Sequence, residues 1–363
     1  MNNADERRPF LTPGLSLALD LVRAAAALVV VLWHAIRLGA YQGPWPVRGA
    51  LEHDAVIVFF VLSGLVIATA ARERETNLFS FAVARFARIV PTAWLSILFG
   101  CLACLVARLW APHPAQLPWL NDILNAPAIL LPATFLSEAG HGLGPVWNPP
   151  YWSLSYEVTY YAMFACVCYC KGLKRAAILL ALFLLALPKA VLLLPVWLMG
   201  VGLAMWRPPP RRSQLASAGI LLVAVAVTYV CHRYAEWVAV GLVGDPDATL
   251  RFSKHFLTDI PMGLGVSLAF VALRGFADQA EPLLQSARQV IGLGARASFP
   301  LYLFHYPLLA LQMAFGLQVH SPAVFAGEVS LIVAIAVAIG ELTERWRIAL
   351  RSRLIRQHAG AIR

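Results

Sequence analysis

The sequence predicts an all-α polytopic membrane protein with about ten transmembrane helices and both termini cytoplasmic. Three observations predict it: an excess of apolar residues, the lengths of the apolar runs, and the placement of the basic residues. Of the 363 residues 60% are hydrophobic and 13% charged, with a mean hydropathy of +0.69. An ordinary soluble domain is about half apolar and about 25% charged. At about 20 residues per span the excess has room for about ten crossings. A soluble enzyme on a single anchor, a disordered chain and a disulfide scaffold are thereby excluded. The 29 Lys and Arg outnumber the 19 Asp and Glu, for a net charge of +10. In a polytopic chain such an excess reports topology, so no nucleic-acid partner is expected.

Taken in order, the apolar runs are 15–38, 54–71, 92–110, 151–170, 174–187, 190–206, 213–232, 256–274, 297–318 and 322–342. The first is too long for a cleavable signal and contains Arg23. Pro188 joins the fifth and sixth runs as a tight helical hairpin. A further stretch, 122–138, is short and holds Pro127 and Pro132. Charge decides against its crossing, because a crossing there would place Lys171, Lys174, Arg175, Arg207, Arg211 and Arg212 outside. Without it most of the basic residues, from Arg7 and Arg8 to Arg363, fall inside. The Pro-, Gly- and Trp-rich region 111–150 reads as an outer cap or re-entrant element. The chain thus divides into a cytoplasmic tail, 1–13, a transmembrane domain, 14–342, and a basic cytoplasmic tail, 343–363. That last tail fits either an amphipathic helix on anionic lipid or a plain stop-transfer segment. The six cysteines lie in or beside apolar runs, where a thiol acts as a small hydrophobe, and no metal site is expected.

Ionisable residues inside spans are costly and so mark candidate sites. The first span carries Asp20, Arg23 and His34. Asp20 and Arg23, three apart, can pair on one helical face. Arg23 and His34 are eleven residues apart, which returns them to one face about 16 Å apart along the axis. The second span contains Ser63–Gly64, small enough for close helix approach. Arg85 and Arg88 form a small basic face at the inner mouth, backed by Arg72 and Arg74, and arginine forks suit phosphate oxygens. The fourth span holds Glu157 among Trp152, Ser153, Ser155, Tyr156, Tyr160 and Tyr161. A carboxylate there must be protonated, paired or facing water. The ninth span holds His305, with Pro307 available to bend the helix.

The ordered set LDLVRAAAALVVVLWHA, FFVLSGLVIA, FxxxRFARIVPTAW, YWSLSYEVTYY and SFPLYLFHYPLL resembles the acyltransferase-3 family of integral-membrane acyltransferases over about 14–342. Such proteins have about ten spans and move acetyl or other short acyl groups from cytoplasmic acyl-CoA onto extracytoplasmic sugars. The family's Arg-x10-His motif falls on Arg23 and His34, its Arg-x-x-Arg on Arg85 and Arg88, and its Trp-Ser element on Trp152, Ser153 and Glu157. Glu344 is followed by Arg345 and Trp346, where many members place a proline, a departure confined to the carboxyl-terminal end.

The resemblance implies a donor, acetyl-CoA or another acyl-CoA, with its phosphates near Arg85 and Arg88 and with Arg23 as a further anchor. It implies His34 as general base or as a transiently acylated nucleophile and Glu157 as the group orienting it; the constellation of intramembrane polar residues itself makes His305, Asp20 and Ser63 pocket candidates. Trp152, Ser153 and Tyr156 become contacts for a carbohydrate or lipid-linked glycan acceptor, exopolysaccharide or O-antigen among the candidates. The location implied is the bacterial inner membrane, with its lipid as partner. A transporter or flippase is the rival from another class, since Arg, His and Glu also line ion pathways. Against it, no internal repeat is visible.

Overall fold

The computed structural model describes residues 9–45, 51–112, 126–138, 144–186, 189–208, 213–243 and 250–361. Arg7, Arg8, Arg48, Pro188, Arg211, Arg212, Arg363 and much of 111–150 lie outside the described residues, and so do the expectations attached to them. Among the described residues the secondary structure is helical, with no strand. The helices are α1 (Pro13–Arg37), α2 (Leu51–Glu73), α3 (Leu78–Trp110), α4 (Ala126–Ala133), α5 (Trp152–Tyr169), α6 (Gly172–Ala186) and α7 (Lys189–Met205). They continue as α8 (Gln214–Val243), α9 (Phe256–Ser286), α10 (Arg288–Ala314) and α11 (Pro322–Ala361). Short 3-10 turns at Pro149–Tyr151 and Arg251–Ser253 lead towards α5 and α9.

Six helices are long and apolar enough to cross a membrane: α1, α2, α3, α8, α9 and α11. A seventh is gained if α6 and α7 count as one broken span. The expected count was about ten, and the shortfall has a physical source. Helix α5 is only 18 residues long and spends them on Ser153, Ser155, Glu157 and several tyrosines. Helix α10 carries Arg288, Arg296, His305, Pro300 and Pro307. Polar, charged and proline residues dilute both helices, and α6 and α7 are only 15 and 17 residues long. Helix α3 shows the opposite character, with Leu98, Leu102, Leu105 and Leu109 exposed at three- and four-residue spacing. Such a stripe has a hydrocarbon partner in a bilayer and none in water.

The chain forms two compact units. The first comprises residues 1–26, 53–74 and 187–295, the second 27–52, 75–186 and 296–363. In the first, α9 packs on α7 and α8. Helices α2 and α7 meet at two glycines. A Cβ on Gly64 would lie 2.1 Å from the Trp197 carbonyl oxygen, and one on Gly200 would lie 1.9 Å from that of Val61. Only hydrogen fits there, and Trp197 Nε1 reaches Ser63 Oγ at 3.2 Å across the same contact. Ser63 is therefore a helix-packing residue.

In the second unit α3 packs against α11, and α5 against α6. Helix α3 starts with a capping box, Ser80 N to Asn77 Oδ1 at 2.9 Å, which satisfies amides that the first turn leaves open. A core of Ala103, Cys104, Ala107, Ala128, Val146, Trp147, Ala310 and Ala314 joins α3, α4 and α10 through the segment before α5. Helix α11 runs unbroken from Pro322 to Ala361, so the tail expected to begin at 343 continues a helix. His358 stacks on Phe79, ring centroids 3.8 Å apart, near the start of α3.

Candidate active site

The second unit holds a pair of imidazoles. His305 Nε2 lies 3.0 Å from His34 Nδ1, and the ring centroids are 5.0 Å apart. His305 Nδ1 is 3.0 Å from the Leu301 carbonyl, which only accepts, so that nitrogen carries the hydrogen. Its Nε2 then presents a lone pair. His34 Nδ1 is also 3.0 Å from the Val30 carbonyl, so it too carries hydrogen, shared between that oxygen and His305 Nε2. With both rings neutral, the arrangement that satisfies all three contacts leaves the proton-accepting lone pair of His34 on Nε2. Tyr306 stands edge-on to His34 with centroids 5.3 Å apart, and His305 is fully buried.

Pro307 and the tertiary partners around it fix this geometry. Pro307 lacks the amide that would bond the Leu303 carbonyl, leaving an orphan acceptor inside α10. The buried side chain of Asn148 fills it, Nδ2 to Leu303 O at 2.8 Å. Tyr302 donates to the Pro150 carbonyl at 2.7 Å and receives the Ser153 hydroxyl at 2.7 Å. Tyr151 donates to the Pro132 carbonyl at 3.0 Å. The segment before α5 is thus pinned to the turn of α10 that carries His305. That pinning holds Trp147 at φ 56°, a left-handed conformation that costs a non-glycine residue of order 1–3 kcal/mol.

The remaining candidates fall as follows. Arg23 pairs with Asp20 at 3.2 Å within the first unit, as the three-residue spacing predicts. Helix α1 is continuous through both Arg23 and His34. Glu157 accepts the Tyr161 hydroxyl one turn on, and the group that meets His34 is His305. Trp152 and Tyr156 are buried with rings 5.0 Å apart, edge to face, so they pack on each other instead of lining an open mouth.

Arg85 and Arg88 differ sharply. Arg85 donates to Glu75, whose side chain is 5% exposed, and its guanidinium lies 5.5 Å from the Phe81 ring. Tyr169 donates to the backbone carbonyl of the same Glu75. Arg85 is therefore neutralised internally, whereas Arg88 is exposed and has no carboxylate partner among the described residues. Glu75 was overlooked in the sequence because it ends a charged run, RERET, that reads as loop charge.

Sequence reasoning also missed a polar cluster in the first unit. His53 Nε2 is 3.0 Å from both oxygens of Asp259, and His232 Nδ1 is 2.6 Å from Asp54 Oδ2. Glu236 approaches Lys254 at 3.2 Å and His255 at 3.1 Å. The signal was present as His53–Asp54 at the head of one apolar run and Asp259 at the head of another. Burial lowers the pKa of His255 from its ordinary value, and His53 and Lys254 push it the same way, while Asp259 and Glu236 oppose them.

A multi-pass helical membrane protein with an ordered imidazole pair, one ring buried and the other half-buried, is the class these features define. The chain belongs to the acyltransferase-3 family, whose model, described as an acyltransferase domain, matches residues 16–341. Membership makes it a membrane acyltransferase in general. No curated protein and no solved structure matches the chain.

Proposed function

We propose that the protein transfers an acyl group, acetyl foremost, from cytoplasmic acyl-CoA to a hydroxyl of an extracytoplasmic or lipid-linked carbohydrate. The observation that carries this reading is the His34–His305 contact on a chain of this family. A lone pair on His34 Nε2 suits a general base. The acceptor hydroxyl gives its proton to Nε2 as its oxygen attacks the thioester carbonyl. The carbon–sulfur bond then breaks, and the leaving thiolate takes the proton as the free thiol. The proton balance closes with no further reagent. His305 acts on the far side of the ring: its Nε2 accepts the Nδ1 hydrogen, fixing the tautomer and supporting the transient imidazolium.

Arg88, exposed and unneutralised, is the better phosphate contact of the Arg-x-x-Arg pair, with Arg85 holding Glu75 and the local fold. The ten-span topology, cytoplasmic termini and bacterial inner membrane belong to the same reading, supported by the clustering of Lys and Arg between alternate apolar runs. The test is thiol release by the purified protein given acetyl-CoA and a surface glycan. Release that depends on the glycan supports the reading, and acceptor-independent or absent release rejects it.

A further inference from the structure

Two successive residues of α10 meet His34. His305 brings Nε2 to its Nδ1 at 3.0 Å, and Tyr306 stands edge-on to its ring, the planes at 77° and the centroids 5.3 Å apart. Tyr306 also lies edge-on to His305, with centroids 6.2 Å apart, so the three rings form one group. All three belong to the second unit. About 100° separates successive side chains around a helix, which lets both reach one imidazole on α1.

The hydroxyl of Tyr306 sets it apart from its neighbours. A buried tyrosine normally finds an acceptor for its O–H. In the same unit Tyr41, Tyr151, Tyr169 and Tyr302 give theirs to the backbone carbonyls of Pro44, Pro132, Glu75 and Pro150, and Tyr161 gives its to Glu157. Tyr306 is 8% exposed, and its hydroxyl has no hydrogen-bond partner among the described residues. Packing accounts for the ring, which lies against His34, but not for the oxygen. A phenylalanine would place the same ring there without leaving a donor unpaired. Two atoms of this group therefore have capacity unspent: the lone pair on His34 Nε2 and the hydrogen of Tyr306. Attack on a thioester needs both, a base for the nucleophile and a donor for the carbonyl oxygen. A phenol, with an ordinary pKa of about 10, remains a donor at neutral pH.

We propose that Tyr306 is a catalytic residue of the acyl transfer, its hydroxyl donating to the thioester carbonyl oxygen as that oxygen gains charge. This rests on the reaction proposed above. The acceptor oxygen bonds to the carbonyl carbon, and the carbon–oxygen π pair moves onto the carbonyl oxygen. That oxyanion accepts the Tyr306 hydrogen bond, and the phenol keeps its proton. When the carbonyl re-forms, the carbon–sulfur bond breaks and the thiolate takes the proton held on His34 Nε2. A donor whose bond strengthens only as charge develops acts on kcat and leaves binding alone.

The test uses the full-length protein in lipid nanodiscs, with thiol release from acetyl-CoA followed in the presence of a surface glycan. Tyr306→Phe should lower kcat about a hundredfold, with KM for acetyl-CoA and the thermal unfolding midpoint unchanged. Its pH–rate profile should keep the acid limb that reports His34. Fluorotyrosine in place of Tyr306, a more acidic phenol that still donates, should retain transfer at neutral pH. It should also bring the alkaline fall in kcat to lower pH than in wild type, because the ionised phenol has no hydrogen to give. Full kcat in Tyr306→Phe would overturn the assignment and leave the acyl transfer standing, and so would an alkaline limb that fluorination does not move. Absence of glycan-dependent thiol release by wild type would overturn both.

Discussion

His305 Nε2 sits 3.0 Å from His34 Nδ1, although 271 residues separate them in the chain. The contact orients one helix-borne imidazole, and in the proposed mechanism it gives each histidine a distinct job. Replacing His305 by Phe keeps a ring in place and removes the acceptor. It should lower kcat about tenfold to a hundredfold with KM for acyl-CoA unchanged, and His305→Gln, which can still accept, should recover part of the loss. Full kcat in His305→Phe would show that the pair is packing alone.

The two arginines of the Arg-x-x-Arg motif should separate in experiment. Arg85→Ala strands the buried Glu75 carboxylate and should cost about 3–5 kcal/mol of stability, recovered by adding Glu75→Gln. Arg88→Ala should leave stability unchanged and raise KM for acyl-CoA about tenfold. Thermal unfolding and steady-state kinetics on the same four preparations check both. Equal destabilisation by the two single variants would contradict the assignment.

Helix packing in the first unit offers an internal control. Gly200→Ala drives a methyl group into the Val61 carbonyl and should destabilise by about 1–3 kcal/mol. Gly202→Ala, two residues on, meets nothing within 4 Å and should be near neutral. Unfolding in detergent, followed by tryptophan fluorescence, would read the difference.

Stability should also depend on pH through His255, which borders α9 outside the apolar helix. Its pKa is lowered in the fold, mainly by burial, with His53 and Lys254 adding to the shift and Asp259 and Glu236 opposing it. A histidine depressed in the fold takes up its proton more readily when unfolded. Its contribution is therefore intact above the unfolded value of about 6.5 and is lost as pH falls below that value and through the folded pKa. The drop in Tm between pH 8 and pH 5 should be smaller in His255→Gln than in wild type. An identical drop would mean that other groups carry the dependence.

How far the sequence carried depended on how local each feature was. Asp20 and Arg23 pair as their spacing dictates, and α1 runs unbroken past His34, because helical periodicity alone determines both. Pro307 was legible as a gap in the hydrogen bonding of its helix. That its orphan carbonyl would be met by Asn148 was not, since the partner arrives from 155 residues away. The family resemblance implied Glu157 as the group orienting His34. In the fold it accepts the Tyr161 hydroxyl, one turn away, and the ring that contacts His34 is a second histidine. The span count diverged because polar, charged and proline residues dilute α5 and α10, and because α6 and α7 are only 15 and 17 residues long.

The central claim is that His34 is the base of an acyl transfer. Membrane vesicles bearing wild type or His34→Gln, supplied with isotopically labelled acetyl-CoA, would be assayed for label on their glycans. Wild type should incorporate the label, and the variant should lose about a hundredfold or more at equal protein level. Undiminished incorporation by His34→Gln would contradict it.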